Sequence, residues 1–214
     1  MKENRIKKER RLGYNTSIQY SCMWSYLKNN RLLTAAHCWF DGANQASLFT
    51  VVLGSVTIFS GGTRIQTNNV VLHPNWTSLI VLNDIAVIHI INVIALPSGS
   101  QVNELFEGML LMYFRGCLQP NQFLSFASMN IISNAQCWLG FPFSIQSSNI
   151  CTAAASSTCP GDSGGPLVVQ RNGAPLLVGI TSFGLHPDFG GCEIGYPAVF
   201  ARVTSFLNFI NQQI

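Results

Sequence analysis

An all-β fold closed by one short helix is what this chain predicts, on three grounds. Short apolar runs recur along it, rich in Val, Ile, Leu and Phe, and Gly, Asn, Ser or Pro clusters bound most of them. Charged residues make up only 10% of the 214 residues, against 18 Gly and 9 Pro, so the chain is apolar and turns often. Helical periodicity is confined to the C-terminal end. The predicted strands, in order, are Leu48–Leu53, Ala86–Ile91, Met109–Phe114, Pro166–Gln170, Leu176–Phe183 and Ala198–Val203. Many are continuous apolar runs rather than alternating ones, as strands inside a barrel or sandwich are. Beyond them Val203, Phe206, Leu207, Ile210 and Ile214 share one helical face, and Thr204 or Ser205 could cap its start. The length suits one large all-β unit or two small packed ones.

Charge excludes one function class. Six of the twelve Lys and Arg lie in residues 1–11, and the rest of the chain carries a net charge of −1. The basic character is therefore a tail, read over residues 1–14 as a disordered end. A nucleic-acid partner would need a basic face on the folded body, and none is expected. No apolar run approaches the roughly 20 residues of a membrane helix, so no membrane partner is expected either.

Cysteine usage points to a compartment. The seven cysteines are 22, 38, 117, 137, 151, 159 and 192. No Cys-x-x-Cys pair occurs, so a zinc ribbon is not expected. Six of the seven could form three bridges, which implies an oxidising, extracellular setting. No secretory signal precedes them, which suggests that the true N-terminus lies outside this sequence. His73, His89 and His186 lack metal-ligand spacing and read as structural; no metal and no cofactor are implied.

The chemistry lies in three segments. Serine is a weak nucleophile until a base, an orienting group and donors for an oxyanion surround it. Thr34-Ala35-Ala36-His37-Cys38 offers the base, and Asn83-Asp84-Ile85-Ala86 offers an orienting carboxylate just before a strand. Gly161-Asp162-Ser163-Gly164-Gly165-Pro166 offers the nucleophile in a turn whose glycines let the N–H groups of Gly161 and Ser163 point at one spot. Taken singly, each has a bland reading: a turn Asp, a structural His, a glycine turn. Their order, His then Asp then Ser, differs from those of subtilisin and the α/β-hydrolases.

On these residues, and on Thr181-Ser182-Phe183-Gly184, the chain resembles the chymotrypsin-like serine endopeptidases, most closely lepidopteran-type midgut chymotrypsins, over about residues 15–214. The resemblance implies a trypsin-like fold of two packed six-stranded antiparallel Greek-key β-barrels. The first, residues 15–97, would carry His37 and Asp84; the second, 98–214, would carry Ser163. It implies a Ser163–His37–Asp84 triad with the Gly161 and Ser163 amides as oxyanion hole. Ser157 would form the pocket base, where a neutral residue leaves an apolar slot for Phe, Tyr, Trp or Leu. Gly184 would hold a wall open and Ala198 would shorten the slot, while Ser182, Phe183 and Gly184 would pair with the substrate as an added strand. Disulfides Cys22–Cys38, Cys137–Cys151 and Cys159–Cys192 follow from the same resemblance, leaving Cys117 as a free thiol. Implied partners are protein or peptide substrates and protein protease inhibitors, and the implied state is a secreted monomer of the gut lumen.

The sequence also departs from that family. Relatives expose an N-terminal Ile or Val whose ammonium pairs with the Asp beside the nucleophile. Only Arg11-Leu12-Gly13 echoes that motif, and the chain between Leu12 and Cys22 is too short to reach far. Asp162 is therefore expected to lack an ammonium partner. Met23-Trp24 replaces the two glycines usual after this cysteine, and Asp84 to Ser163 is a short 79 residues. Two functions follow: an active chymotrypsin-like digestive endopeptidase, or an inactive homologue serving as a binding or decoy protein. A cytosolic binding module would have to explain six pairable cysteines. Asn15-Thr16-Ser17 and Asn75-Trp76-Thr77 are glycosylation sequons.

Overall fold

The computed structural model describes residues 20–28, 30–55, 60–91, 107–112, 126–153, 158–185 and 195–214. The basic tail, Cys117, Ser157, His186 and Cys192 lie outside the described residues. The fold is all-β, as expected, and its strands form two sheets.

The first sheet takes β1 (Tyr20–Lys28), β2 (Arg31–Thr34), β3 (Phe49–Leu53), β4 (Thr63–Thr67), β5 (Val70–Leu72), β6 (Ala86–His89) and β7 (Glu107–Met112), in the order β4-β3-β7-β1-β2-β6-β5. The second takes β8 (Asn130–Ile132), β9 (Asn149–Ala153), β10 (Pro166–Arg171), β11 (Ala174–Phe183) and β12 (Ala198–Arg202), in the order β10-β11-β12-β9-β8. Among the described residues the strands divide seven and five, consistent with the two β-barrel units expected.

β7 makes the difference. Assigned from the sequence to the second unit, it crosses the expected boundary at residue 97 and pairs antiparallel with β1 on one side, Cys22 opposite Leu110, and with β3 on the other, Val51 opposite Leu110. Inserted there, it satisfies the backbone groups that β1 and β3 would otherwise leave as open edges. Pairing partners of a strand are a long-range property, and nothing local in residues 107–112 announces them.

One core runs through both sheets. Trp24, Leu32, Leu33, Phe49, Val51, Ile85 and Val87 from the first pack in the same cluster as Ile180, Ala201, Phe206 and Phe209. The chain end closes it with four residues of the expected face, Val203, Phe206, Ile210 and Ile214, and with Phe209 in place of Leu207. Residues Val203–Phe206 form a 3₁₀ turn before α2 (Leu207–Asn211). Three residues per turn bring Val203, Phe206 and Phe209 into line, and all three are buried, while Leu207 is 46% exposed. Thr204 and Ser205 lie inside the 3₁₀ turn and cap nothing. The Arg31 guanidinium donates from Nε to the Gln213 carbonyl at 2.8 Å and ties the end to β2.

One helix was not expected. α1 (Asn134–Gly140) starts at Ser133, whose side chain accepts from the Gln136 N–H while the Gln136 side chain accepts from the Ser133 N–H. That capping box was legible as Ser-x-x-Gln. Two disulfides hold the described chain, Cys22–Cys38 across the start of the first sheet and Cys137–Cys151 between α1 and β9. Cys159 is also disulfide-bonded; its expected partner, Cys192, lies outside the described residues.

Candidate active site

The antiparallel β2–β6 pair places the first two functional side chains. Thr34 sits opposite Ala86, so the turn after β2 and the residues before β6 emerge at the same end of the sheet. His37 follows in a 3₁₀ turn (Ala36–Cys38), pinned by the disulfide through Cys38. Asp84 arrives from the opposite direction and is 2% exposed. Its Oδ1 accepts the His37 backbone N–H at 2.8 Å, and its Oδ2 meets His37 Nδ1 at 2.7 Å. The two contacts fix both the backbone and the ring of the histidine. With Nδ1–H given to the carboxylate, Nε2 is left as the acceptor.

A third donor comes from the other sheet. The pairing of β11 with β12 shifts register between Thr181 and Phe183, so Ser182 sits at an irregularity of the ladder. Its hydroxyl donates to Asp84 Oδ2 at 2.5 Å, and Ser182 is 5% exposed. The sequence had placed Ser182 only along the substrate strand. Its hydroxyl role was missed, because no spacing rule links residues 98 apart. A carboxylate buried among three donors offsets its own desolvation and holds the imidazole firmly. For His37, burial pulls the pKa down, but the charge of Asp84 and its hydrogen bond outweigh that, with a smaller push from Asp41; the ring titrates above the ordinary histidine value.

The nucleophile turn is built on the second sheet and docked on the first. Gly161 has φ +109° and Gly164 φ +80°, the left-handed region that favours glycine. A methyl group on Gly164 would run into Thr34 Oγ1 and the Met23 carbonyl, so the turn packs directly on the segment leading to His37. The Met23 N–H donates to the Ser163 carbonyl at 2.7 Å, and Met23's own carbonyl accepts the Thr34 hydroxyl at 2.8 Å. Within the turn, the N–H groups of Asp162, Gly164 and Gly165 donate to the carbonyls of Cys159, Thr181 and Asp162. Those of Gly161 and Ser163 have no acceptor among the described residues. They are the two amides the sequence had assigned to the oxyanion hole. Ser163 Oγ makes no hydrogen bond to His37 Nε2 within 3.5 Å, a contact that in unliganded sites is often loose.

Asp162 is held by the turn before it. Its Oδ2 accepts the Cys159 N–H at 2.8 Å, and no cation lies within 4 Å among the described residues. Burial raises its pKa, and the Cys159 hydrogen bond offsets only part of the rise. Behind the turn lies an open cavity of about 610 Å³, lined by Asp162, Met23, Met129, Thr158, Leu167 and Phe200, among others. Ser163, His37 and Ser182 do not line it. Met23, one of the two residues that replaced the usual glycines, lines this cavity and presses its Sδ toward Gly165.

The expected substrate-binding residues are distributed as follows. Ser157 is not described, but a Cβ on Gly184 would lie 3.9 Å from the carbonyl oxygen and Oγ1 of Thr158, so Gly184 faces the residue next to the expected pocket base. Ala198 is buried with Ile150 and Phe200. Phe183 stacks edge-on against Phe141 at 5.5 Å, and Phe141 against Tyr196 at 6.2 Å. That aromatic run beside Ser182 was also missed, since Phe141 and Tyr196 come from separate loops. The sulfurs of Cys22 and Cys38 cluster with His37, but the disulfide occupies them.

The comparisons with known proteins bear on the family and the fold. The family described as Trypsin matches residues 7–210. A collagenase from Hypoderma lineatum is 34% identical over 89% of this chain and 75% of its own length. A brachyurin from Leptuca pugilator is 36% identical over 91% and 88%. The solved structure of HL collagenase superposes with a TM-score of 0.64 at 28% identity, covering 90% of this chain and 85% of that one. The chain belongs to the trypsin family of serine proteases.

Proposed function

We propose that the chain is a serine endopeptidase that cleaves peptide bonds through an acyl-enzyme, with Ser163 as nucleophile, His37 as base and Asp84 as its orienting group. The observation that carries this reading is the clamp on His37: a buried carboxylate holds Nδ1 and the backbone N–H together, at a turn docked on the nucleophile segment. Ser163 Oγ attacks the scissile carbonyl as Nε2 takes its proton. The carbonyl oxygen, now negative, draws the N–H groups of Gly161 and Ser163, each such donor worth roughly 3–4 kcal/mol in relatives of this chemistry. Nε2 returns the proton to the leaving amine, and a water repeats the sequence on the acyl-enzyme.

The pocket with Ser157 at its base, Gly184 on one wall and Ala198 shortening it takes large apolar side chains, and Ser182–Gly184 pair with the substrate backbone. The natural substrates are proteins, and gelatin belongs in the assay panel because a similar protein is named a collagenase. Protein inhibitors that fill the same cleft are further partners. The enzyme acts as a secreted monomer: bridged cysteines such as Cys22–Cys38 and Cys137–Cys151 persist in oxidising compartments. Among the described residues no helix is long and apolar enough to cross a membrane.

The test is labelling with an active-site fluorophosphonate together with hydrolysis of a Phe-amide substrate. Labelling confined to the peptide carrying Ser163, with turnover of the substrate, supports the reading. Folded protein that takes no label and turns over nothing returns the chain to the inactive-homologue reading.

A further inference from the structure

We propose that Asn75 is an N-glycosylation site, modified in the secretory lumen by a lipid-linked oligosaccharide. Asn75-Trp76-Thr77 is a sequon, and the folded chain presents it in a form a glycan can occupy. The turn that carries it is tied down on both sides of the sequon. The Asn75 N–H donates to His73 Nδ1 at 3.2 Å, and the Asn75 carbonyl accepts from Asn83 Nδ2 at 2.8 Å. Trp76 turns inward, its indole Nε1 donating to the Phe40 carbonyl at 3.0 Å. Thr77 and Leu82 exchange both backbone hydrogen bonds and close the loop that follows. What remains is the Asn75 side chain, which is exposed and whose amide makes no hydrogen bond among the described residues. A sugar on that nitrogen breaks no contact of the fold.

The loop also has use for a hydrated polymer. Its tip bears Leu79 at 91% and Ile80 at 46% exposure. Apolar groups so displayed on a low-charge protein promote association, and a glycan rooted in the same loop stands beside them in solvent. In the transfer, Asn75 Nδ2 forms a bond to the anomeric carbon of the oligosaccharide. The bond from that carbon to the lipid pyrophosphate breaks, the lipid pyrophosphate departs with the electron pair, and the amide loses one proton.

The inference rests on the secretory reading, so the test supplies the route itself. The chain is expressed in insect cells behind a cleavable secretion leader, and luminal and secreted protein are pooled. It is treated with peptide-N-glycosidase in heavy-oxygen water and mapped by mass spectrometry. The expected result is conversion of Asn75 to heavy-labelled Asp, abolished in Asn75→Gln and Thr77→Ala and retained in Thr77→Ser. The map resolves Asn75 from Asn15, the other sequon. An unmodified Asn75 peptide from luminal protein overturns the proposal. Fluorophosphonate labelling of the same samples is read independently, so loss of the glycan and loss of the protease reading are distinguishable.

Discussion

The two halves of the proposed catalytic centre are held in different ways. On the base side, Asp84 is buried, accepts three hydrogen bonds from His37 and Ser182, and joins the two sheets. On the Ser163 side, Ser163 has no hydrogen bond to His37, the Gly161 and Ser163 amides have no acceptor among the described residues, and Asp162 keeps a half-buried carboxylate on one backbone donor. The first half is organised by packing and needs no ligand to hold its shape. In the proposed mechanism the second keeps unpaired donors for negative charge that exists only during reaction, which is what preorganised oxyanion stabilisation requires.

Substitutions at four positions can break or sharpen that contrast. The largest effect belongs to Ser163→Ala, which should cost roughly 10⁶-fold in kcat while leaving the melting midpoint unchanged, since the hydroxyl has no partner to lose. Turnover within tenfold of the parent would remove Ser163 from the mechanism. Asp84→Asn should cost about 10⁴-fold in kcat by releasing the histidine tautomer.

It should also move the pH profile. Only neutral His37 accepts a proton, and Asp84 favours the charged ring. The acid limb of kcat/KM should therefore lie above the ordinary histidine value of about 6.5 and fall in the variant. By linkage, the stability that the pair lends the fold is full below about pH 6.5 and disappears as pH rises through the raised pKa. A ring titration of His37 by NMR that stays fixed on Asp84→Asn would contradict this assignment.

Ser182→Ala comes next. Removing one donor from a buried carboxylate costs about 1–3 kcal/mol, so both the melting midpoint and kcat should fall, and Ser182→Thr should restore part of each. A loss confined to KM would mean that Ser182 serves only the substrate backbone. The smallest effect tests the other half. Burial raises the pKa of Asp162, so its charge costs stability as pH rises through that value. Asp162→Asn should raise the melting midpoint at neutral pH and leave it unchanged in acid. A lower midpoint at neutral pH would reveal a cation partner that this picture lacks.

Much of the centre was legible because its signals are local. His37, Asp84 and Ser163 each sit in a short motif whose neighbours do a local job: a cysteine that anchors, an apolar strand that follows, glycines that allow positive φ at Gly161 and Gly164. The capping box at Ser133 was equally local and simply went unread. Ser182 on Asp84, and Phe183 against Phe141, were not legible, because both join residues far apart in the chain. The terminal helix shows the same divide at small scale. Its apolar residues were evident, but which of them are buried depended on a 3₁₀ start that turns Leu207 outward and Phe209 inward.

By itself, then, the sequence determined the strand-rich class, the family, the His37, Asp84 and Ser163 motifs on which the proposed mechanism rests, and the pairings Cys22–Cys38 and Cys137–Cys151 that the family resemblance implied. Tertiary structure alone decided that β7 enters the first sheet between β1 and β3, and that a serine of one sheet completes the carboxylate of the other. The reason is physical. Turn chemistry and apolar runs act over a few residues and leave their mark on composition, whereas an open strand edge or a buried carboxylate takes whichever distant partner the finished packing brings within reach.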